Sequence, residues 1–368
     1  MTEELLCLIA LSLAPNLKPM DARELLRIAD SPSNLFNRDF LDTLPNLNPE
    51  LKQLLLKGTL KQNAEHELHI IQKNELTVYS ILDEDFPYRL QECSDAPLLL
   101  YSKGSCNLNA ERVVSIVGTR QASPYGRDHT RQLVKEMATF DPNILIISGL
   151  AYGIDVIAHQ AAMEFGLKTV CIFGHGLHTV YPKVHSKYAD EMVKKQGANM
   201  TELPWGTVSE RWRFLQRNRI VAGLCDACVV VESGLTGGSM KTARMARDYN
   251  RDVFAFPGRT TDVYSQGCNV LISDMTAGLI QGASDLFQKM NWDIPKNRKT
   301  QRTLFVELND KQLSVFNRIK KTDSISMQTL ASACGWTIQE TMTVLMELEL
   351  EGLIEKRPGG EYRLYLTN

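Results

Sequence analysis

Residues 211–243, RWRFLQRNRIVAGLCDACVVVESGLTGGSMKTA, set Arg211, Arg213, Arg217 and Arg219 within nine positions, directly ahead of an apolar run and a Gly-Gly-Ser turn. A guanidinium is a rigid fork of donors that matches the paired oxygens of a carboxylate or a phosphate, so the cluster calls for an anion. Three glycine-bearing loops offer the same chemistry from the backbone. Gly118-Thr119-Arg120 follows VVSIV and leads to Ser123-Pro124, Ser148-Gly149-Leu150-Ala151-Tyr152-Gly153-Ile154-Asp155 follows ILII, and Ser233-Gly234-Leu235-Thr236-Gly237-Gly238-Ser239 follows ACVVVE. Each runs into a helical pattern, and a helix start presents unpaired N–H groups and a partial positive charge to a phosphate. The phosphate-contact candidates are therefore Gly118, Thr119, Arg120, Ser148, Gly149, Gly153, Lys183, Arg217, Asn218, Arg219, Gly237, Gly238 and Ser239.

Other chemistries find less support. The first core strand is followed by no GxGxxG, and the chain has no GxxxxGK[ST], which disfavours a dinucleotide cofactor and a P-loop. His66-Glu67-Leu68-His69 has Ile70 where a zincin helix needs its second histidine, and is expected to be a solvated helix. Cys225 and Cys228 have CxxC spacing without a second pair and straddle the start of an apolar strand, so buried thiols are expected. His175, His178 and His185 have no Cys, Asp or Glu among them to complete a coordination set and are expected to be polar loop residues. No nucleophile, base and orienting acid come together, although Ser239 and His159 stand out singly. The expectation is a protein with no metal, no cofactor and no catalytic residues.

These loops need strands to hold them. VVSIVG (113–118), ILIISG (144–149), KTVCIFG (168–174), ACVVVES (227–233) and DVFAFPG (252–258) are near-continuously apolar, as strands covered on both faces must be. Helical stretches near 124–138, 153–165, 187–196, 210–223 and 239–249 alternate with them, which predicts an α/β fold with a Rossmann-like, doubly wound parallel sheet. Ligands of such sheets bind beyond the carboxyl ends of the strands, where the glycine loops fall. Residues 1–72 form short helices divided by prolines and predict a small helical N-terminal domain. The sheet domain spans 73–292, the basic stretch from 293 to 303 reads as a linker, and 304–368, three helices and a hairpin, reads as a winged helix.

The chain has 368 residues, 43% hydrophobic and 23% charged, with a formal net charge of −2 and eight scattered cysteines. It has no apolar run long enough to span a membrane, and its acidic N-terminus is unlike a signal peptide. A cytoplasmic protein without disulfides is expected.

The order of the motifs resembles one family, the DprA/Smf DNA-processing proteins, which bind single-stranded DNA and load RecA onto it. The resemblance rests on IVGTR (116–120), SGLAYGID (148–155) with Ala158-His159, Tyr181-Pro182, RNRIVAGL (217–224), VVVES (229–233), GGSMKTA (237–243), FAFPG (254–258) and QGCNVLI (266–272). It implies a Rossmann-like DNA-binding core, an N-terminal helical (SAM-like) domain, a C-terminal winged helix, a homodimer joined through the central domain, and delivery of DNA to RecA in recombination or natural transformation. The sequence departs from the family at His185, where the family has Asn, and at LISDMTAGLI, where Gly-Ala is displaced. APNLKPMDA also lacks the glycine of a helix-hairpin-helix. Arginines beside amide-rich loops suit a chain of phosphates, and Tyr152, Tyr181, Trp205, Trp212 and Phe214 lie near enough in sequence to stack on bases. The stretch 337–351 carries four glutamates and no lysine or arginine, so the winged helix is expected to serve protein contact or stability. The alternative in another class is a phosphoribohydrolase-like nucleotide enzyme, for which Asp155 or Glu232 would supply the carboxylate. A purely structural module leaves the clustered arginines without a role.

Overall fold

The computed structural model describes residues 2–293, 309–322, 324–350, 353–356 and 360–364. Five helices open the chain: α1 (Glu3–Ser12), α2 (Pro19–Ala29), α3 (Arg38–Asp42), α4 (Pro49–Leu56) and α5 (Thr59–Lys73). Pro19 and Pro49 sit at helix starts, where no amide proton is needed, and the Asn48 side chain caps α4 by accepting from the Glu50 amide at 2.8 Å. Next come β1 (Thr77–Ser80), α6 (Tyr88–Gln91) and β2 (Leu99–Lys103). Strict alternation follows: β3 (Val113–Val117), α7 (Pro124–Phe140), β4 (Leu145–Ser148), α8 (Ile154–Glu164), β5 (Lys168–Ile172), α9 (Ser186–Lys194), β6 (Ala198–Thr201), α10 (Arg211–Gly223), β7 (Ala227–Val230), α11 (Gly238–Asp248), β8 (Asp252–Ala255), α12 (Gln266–Ser273), β9 (Gly278–Leu279) and α13 (Ala283–Lys289).

The nine strands form one sheet in the order β1-β2-β6-β5-β4-β3-β7-β8-β9, parallel from β6 to β9 and antiparallel at β1 and β2. The winding reverses at β3, with β4 on one side and β7 on the other, paired Val114 to Ala227 through Val117 to Val230. The carboxyl ends of β3 and β7 therefore flank the topological switch point of the sheet. Side chains alternate along each strand: Val114, Ile116, Ile146 and Val229 pack under α7, α8 and α13, while Val117, Ile147 and Val230 face the opposite layer with Ile220 and Met240.

β6 is absent from the sequence reading because Ala198-Asn199-Met200-Thr201 lacks an apolar run. It is nevertheless fully buried: the Asn199 amide group donates to the Ala189 carbonyl at 3.0 Å, and the Thr201 hydroxyl to that of Phe173 at 3.3 Å. Two other expectations change. Glu67 is buried and accepts from the Trp205 amide at 2.8 Å, so α5 is solvated only on its His66 and His69 side. The helical segment 1–72 is not a separate body: residues 1–295 form one compact unit, in which Leu8 and Leu11 share a core with Leu99 and Tyr101. Arg23 ties the two parts further by donating to the carbonyls of Gln91, at 3.0 Å, and Cys93. Cys225 and Cys228 are buried thiols, pushed up by desolvation, Cys225 to about 11.

The second unit, 296–368, contains α14 (Asp310–Thr322), β10 (Ile325–Ser326), α15 (Met327–Cys334), α16 (Ile338–Leu350), β11 (Ile354–Lys356) and β12 (Glu361–Leu364), with sheet order β10-β12-β11. Val315, Ile319, Leu330, Leu345, Leu348 and Tyr362 form its core. Three helices closed by a small antiparallel sheet are a winged helix, as the sequence predicts. The expected linker lies outside the described residues beyond Asp293.

Candidate nucleic-acid interface

At the switch point the two central loops are clamped together. The Thr119 amide donates to the Glu232 carbonyl at 2.7 Å, and the Glu232 carboxylate accepts from the Ser123 amide at 2.9 Å and the Ser123 hydroxyl at 2.5 Å. Ser123 in turn caps α7 by accepting from the Gly126 amide. The helix start that a Rossmann-like sheet would offer to a nucleotide phosphate is thus filled by the protein's own carboxylate. At the start of α8 the Ile154 amide is taken by the Thr119 carbonyl, and Asp155 is buried in the first turn; burial raises its carboxyl above the usual range, and the charge of Arg217 and the nearby Ala151 and Gly149 amides oppose that rise.

Arg217 lies beneath this loop. It is 5% exposed and donates to the Ile172 carbonyl, and burial lowers its basicity against the pull of Asp155. Gly149 is required above it, because a Cβ there would collide with the guanidinium. Gly153, at φ +77°, lies so close to the Thr119 carbonyl that a side chain would not fit, and the Ile154 amide donates to that carbonyl at 3.2 Å. His159 sits below, fully buried. Thr169 donates its hydroxyl proton to Ile146, so it accepts from His159 Nδ1 at 2.7 Å, which leaves Nε2 as a lone pair without a partner. Burial pushes its pKa down to about 3, helped by the charges of Arg217 and His185.

Several candidates are spent on the scaffold. The Ser148 hydroxyl is buried and donates to the Ile116 carbonyl at 2.6 Å. Ser239 donates to the Ser233 hydroxyl at 2.8 Å. Arg219 is buried in an ion pair with Glu202 and donates to the Asp95 carbonyl at 2.8 Å, so it neutralises protein carboxylates. Of the arginine cluster, Arg213 also pairs internally, with Glu210 at 2.9 Å, while Arg211 is exposed. Among the described residues neither Arg217 nor Arg219 forms a direct ion pair with Glu232 or Asp155.

The remaining candidates line the strand-end edge. Arg120 is exposed and has no side-chain partner among the described residues. Gly118 and Thr119 lie beside it, half-buried. Lys183 is exposed on a short turn whose His185 donates from Nδ1 to the Leu150 carbonyl at 2.8 Å, which fixes it against the 148–155 loop. His175, expected to be polar loop, is buried and stacks on Phe173 with centroids 4.6 Å apart. Gly237 and Gly238 start α11 without an acidic residue in its first turn, the Asn218 side chain lies beside Gly238, and Lys241 is exposed one turn on. Tyr152, Tyr181 and Trp212 are each 49% exposed, with Tyr181 against Phe214 at 5.5 Å and Tyr152 against His185 at 5.0 Å.

The sequence reading missed Arg259, exposed after β8 and without a side-chain partner among the described residues. Its signal was present: Gly258-Arg259 places an arginine just past a strand-end glycine, as Gly118-Thr119-Arg120 does. Among the described residues no group of His, Cys, Asp or Glu is placed to hold a metal ion, and no helix is long and apolar enough to cross a membrane.

A doubly wound α/β sheet whose innermost helix starts are taken up by the protein's own groups, with exposed cations and aromatics along its strand-end rim, is unlike the dinucleotide-binding sheets, which leave such a start open to phosphate. The chain matches the family described as DNA recombination-mediator protein A over residues 77–291 and the DprA winged helix domain over 304–360. It belongs to the DprA/Smf family. DNA processing protein DprA of Streptococcus pneumoniae is 36% identical over 58% of this chain and 74% of its own length, and Protein Smf of Escherichia coli is 31% identical over 76% and 75%. The solved structure of the S. pneumoniae protein superposes with TM-score 0.67 at 30% identity, covering 78% of this chain and 98% of that one. DNA processing protein A from Helicobacter pylori, solved for its single-stranded DNA binding mode, superposes with TM-score 0.53 at 29% identity, covering 59% and 96%.

Proposed function

We propose that this protein binds single-stranded DNA along the strand-end edge of its sheet and delivers it to RecA, acting in the cytoplasm as a homodimer joined through the sheet domain and without catalysing a reaction. The observation that carries the reading is the division of charge at that edge. Glu232 fills the start of α7 and the buried Asp155 sets a second carboxylate in the first turn of α8, where one nucleotide's phosphate would sit, while Arg120, Lys183 and Lys241 stay exposed and, among the described residues, unpaired outside them. A row of outward cations suits a run of phosphates, and the exposed tyrosines and Trp212 suit unstacked bases. The same two carboxylates are the ones a phosphoribohydrolase would need, and both are turned inward onto backbone amides and Ser123.

Fluorescence anisotropy with a labelled single strand and a duplex of equal length, run beside an assay of nucleoside monophosphate turnover, tests this. The single strand should bind more tightly, with no turnover; preference for blunt duplex, or sustained hydrolysis, would reject it. RecA delivery is checked by filament formation on single strands coated with a single-strand-binding protein, with and without this protein, and the homodimer by sedimentation.

A further inference from the structure

Beside the switch point, on its β8 side, a cleft of about 970 Å³ opens between the start of α7 and the segment 257–265. We propose that it is a nucleotide subsite, in which one base of a bound single strand enters beside Tyr125 and Pro257 while its phosphate stays at the mouth on Arg259. The assignment rests on the reading of the protein as a single-strand binder and adds a place for a base that the row of cations does not supply.

Polarity and position carry it. Tyr125 is 39% exposed, its ring lies against His129 on one side with centroids 4.1 Å apart, and its hydroxyl is spent on the Pro257 carbonyl at 2.6 Å, so what it offers the cleft is the remaining apolar face. Glu232, 3% exposed, is part of the lining, and Asp262 lies on the same wall as Arg259. Both carboxylates repel a phosphate and the exposed Asp262 can accept from N–H donors, whereas Arg259, without a side-chain partner among the described residues, is the cation of the lining. A ligand that fits carries donors on a flat apolar body at one end and an anion at the other, as a nucleotide does with its base inward. A dinucleotide or free phosphate placed with its anion at the floor would meet Glu232. The cleft also adjoins the edge already described. Tyr264 donates its hydroxyl to Gln121, the residue after Arg120, and its carbonyl accepts from the Ser233 amide at 2.6 Å, so the wall of the cleft is built onto both central loops. A strand passing Arg120 continues into it.

The test uses the full-length protein. Single strands carrying 5-iododeoxyuridine at successive positions are photocrosslinked and the labelled peptides mapped by mass spectrometry, and the salt dependence of binding is measured for Arg259→Ala, Arg259→Lys and Arg120→Ala. The expected result is label on Tyr125 or within 257–265, a slope of log affinity against log salt flattened by about 0.7 for Arg259→Ala, and recovery of that slope in Arg259→Lys. Label confined to other peptides, or an unchanged slope for Arg259→Ala, overturns the subsite. If Arg120→Ala flattens the slope and Arg259→Ala does not, only the subsite falls; if neither does, the single-strand reading itself falls.

Discussion

Exposed and buried arginines near this sheet edge do opposite work, and their surroundings decide which. Arg120, exposed and unpaired, should when changed to Ala weaken single-strand binding at low salt and flatten the salt slope by about 0.7, with the melting temperature unmoved. Arg217→Ala leaves Asp155 buried without its countercharge and should cost about 3–5 kcal/mol of stability in denaturant unfolding, Arg219→Ala leaves the half-buried Glu202 without its partner and should cost less, and in both the folded fraction keeps its salt slope. A second residue-scale test concerns pH. The folded-state pKa of His159, about 3, lies below its ordinary 6.5, so between those values the unfolded chain binds the extra proton. Its contribution is complete above pH 6.5 and is lost as pH falls towards 3, at up to about 1.4 kcal/mol per pH unit. His159→Gln should reduce that acid sensitivity in pH-dependent unfolding, whatever its effect on stability at neutral pH.

At the scale of elements, the winged helix lacks the charge of a duplex reader. α16 presents Glu340, Glu347 and Glu349 at its surface and, between them, Ile338, Met342 and Met346 at 53%, 50% and 53% exposure, spaced four residues apart along one stripe. A phosphate backbone is repelled by such a face, and an apolar protein surface is not. Deleting 303–368 should leave most single-strand affinity and the melting of the first unit intact, measured by anisotropy and calorimetry. A loss of affinity as large as that of Arg120→Ala would assign the winged helix to the DNA.

For the whole molecule, the continuity of the first unit matters most. The N-terminal helices and the antiparallel edge of the sheet share one core, with Leu8, Leu11, Leu99 and Tyr101 each at most 2% exposed. Fully burying a side chain of this kind is worth about 1.5–3 kcal/mol, so removing 1–72 strips that edge of a large part of its cover. The truncated protein should be poorly soluble or melt well below the parent, in contrast to the C-terminal deletion. Equal melting of the two truncations would show that the helices fold as an independent domain after all.

The sequence by itself determined the sheet, its direction and the edge to examine. A continuous apolar run of this length bounded by turn residues favours a strand buried on both faces, and VVSIV, ILII and ACVV are such runs. Glycines after such runs then mark the carboxyl ends, and the order of motifs marks the family. What it left open was which polar groups were already spoken for. Arg217, Arg219, Asp155, Glu232 and Ser148 have the composition of a binding site, and only the packing of α10 under the 148–155 loop and of β7 beside α7 shows them buried and, for all but Asp155, bonded to the backbone or to other side chains of the scaffold. β6 was hidden for a related reason, since its Asn and Thr are polar residues whose partners come from elsewhere in the chain. Hydrophobic pattern is local and periodic, and can be read along a chain. The pairing of a buried charge or hydroxyl depends on residues tens of positions away, and only the tertiary structure decides it.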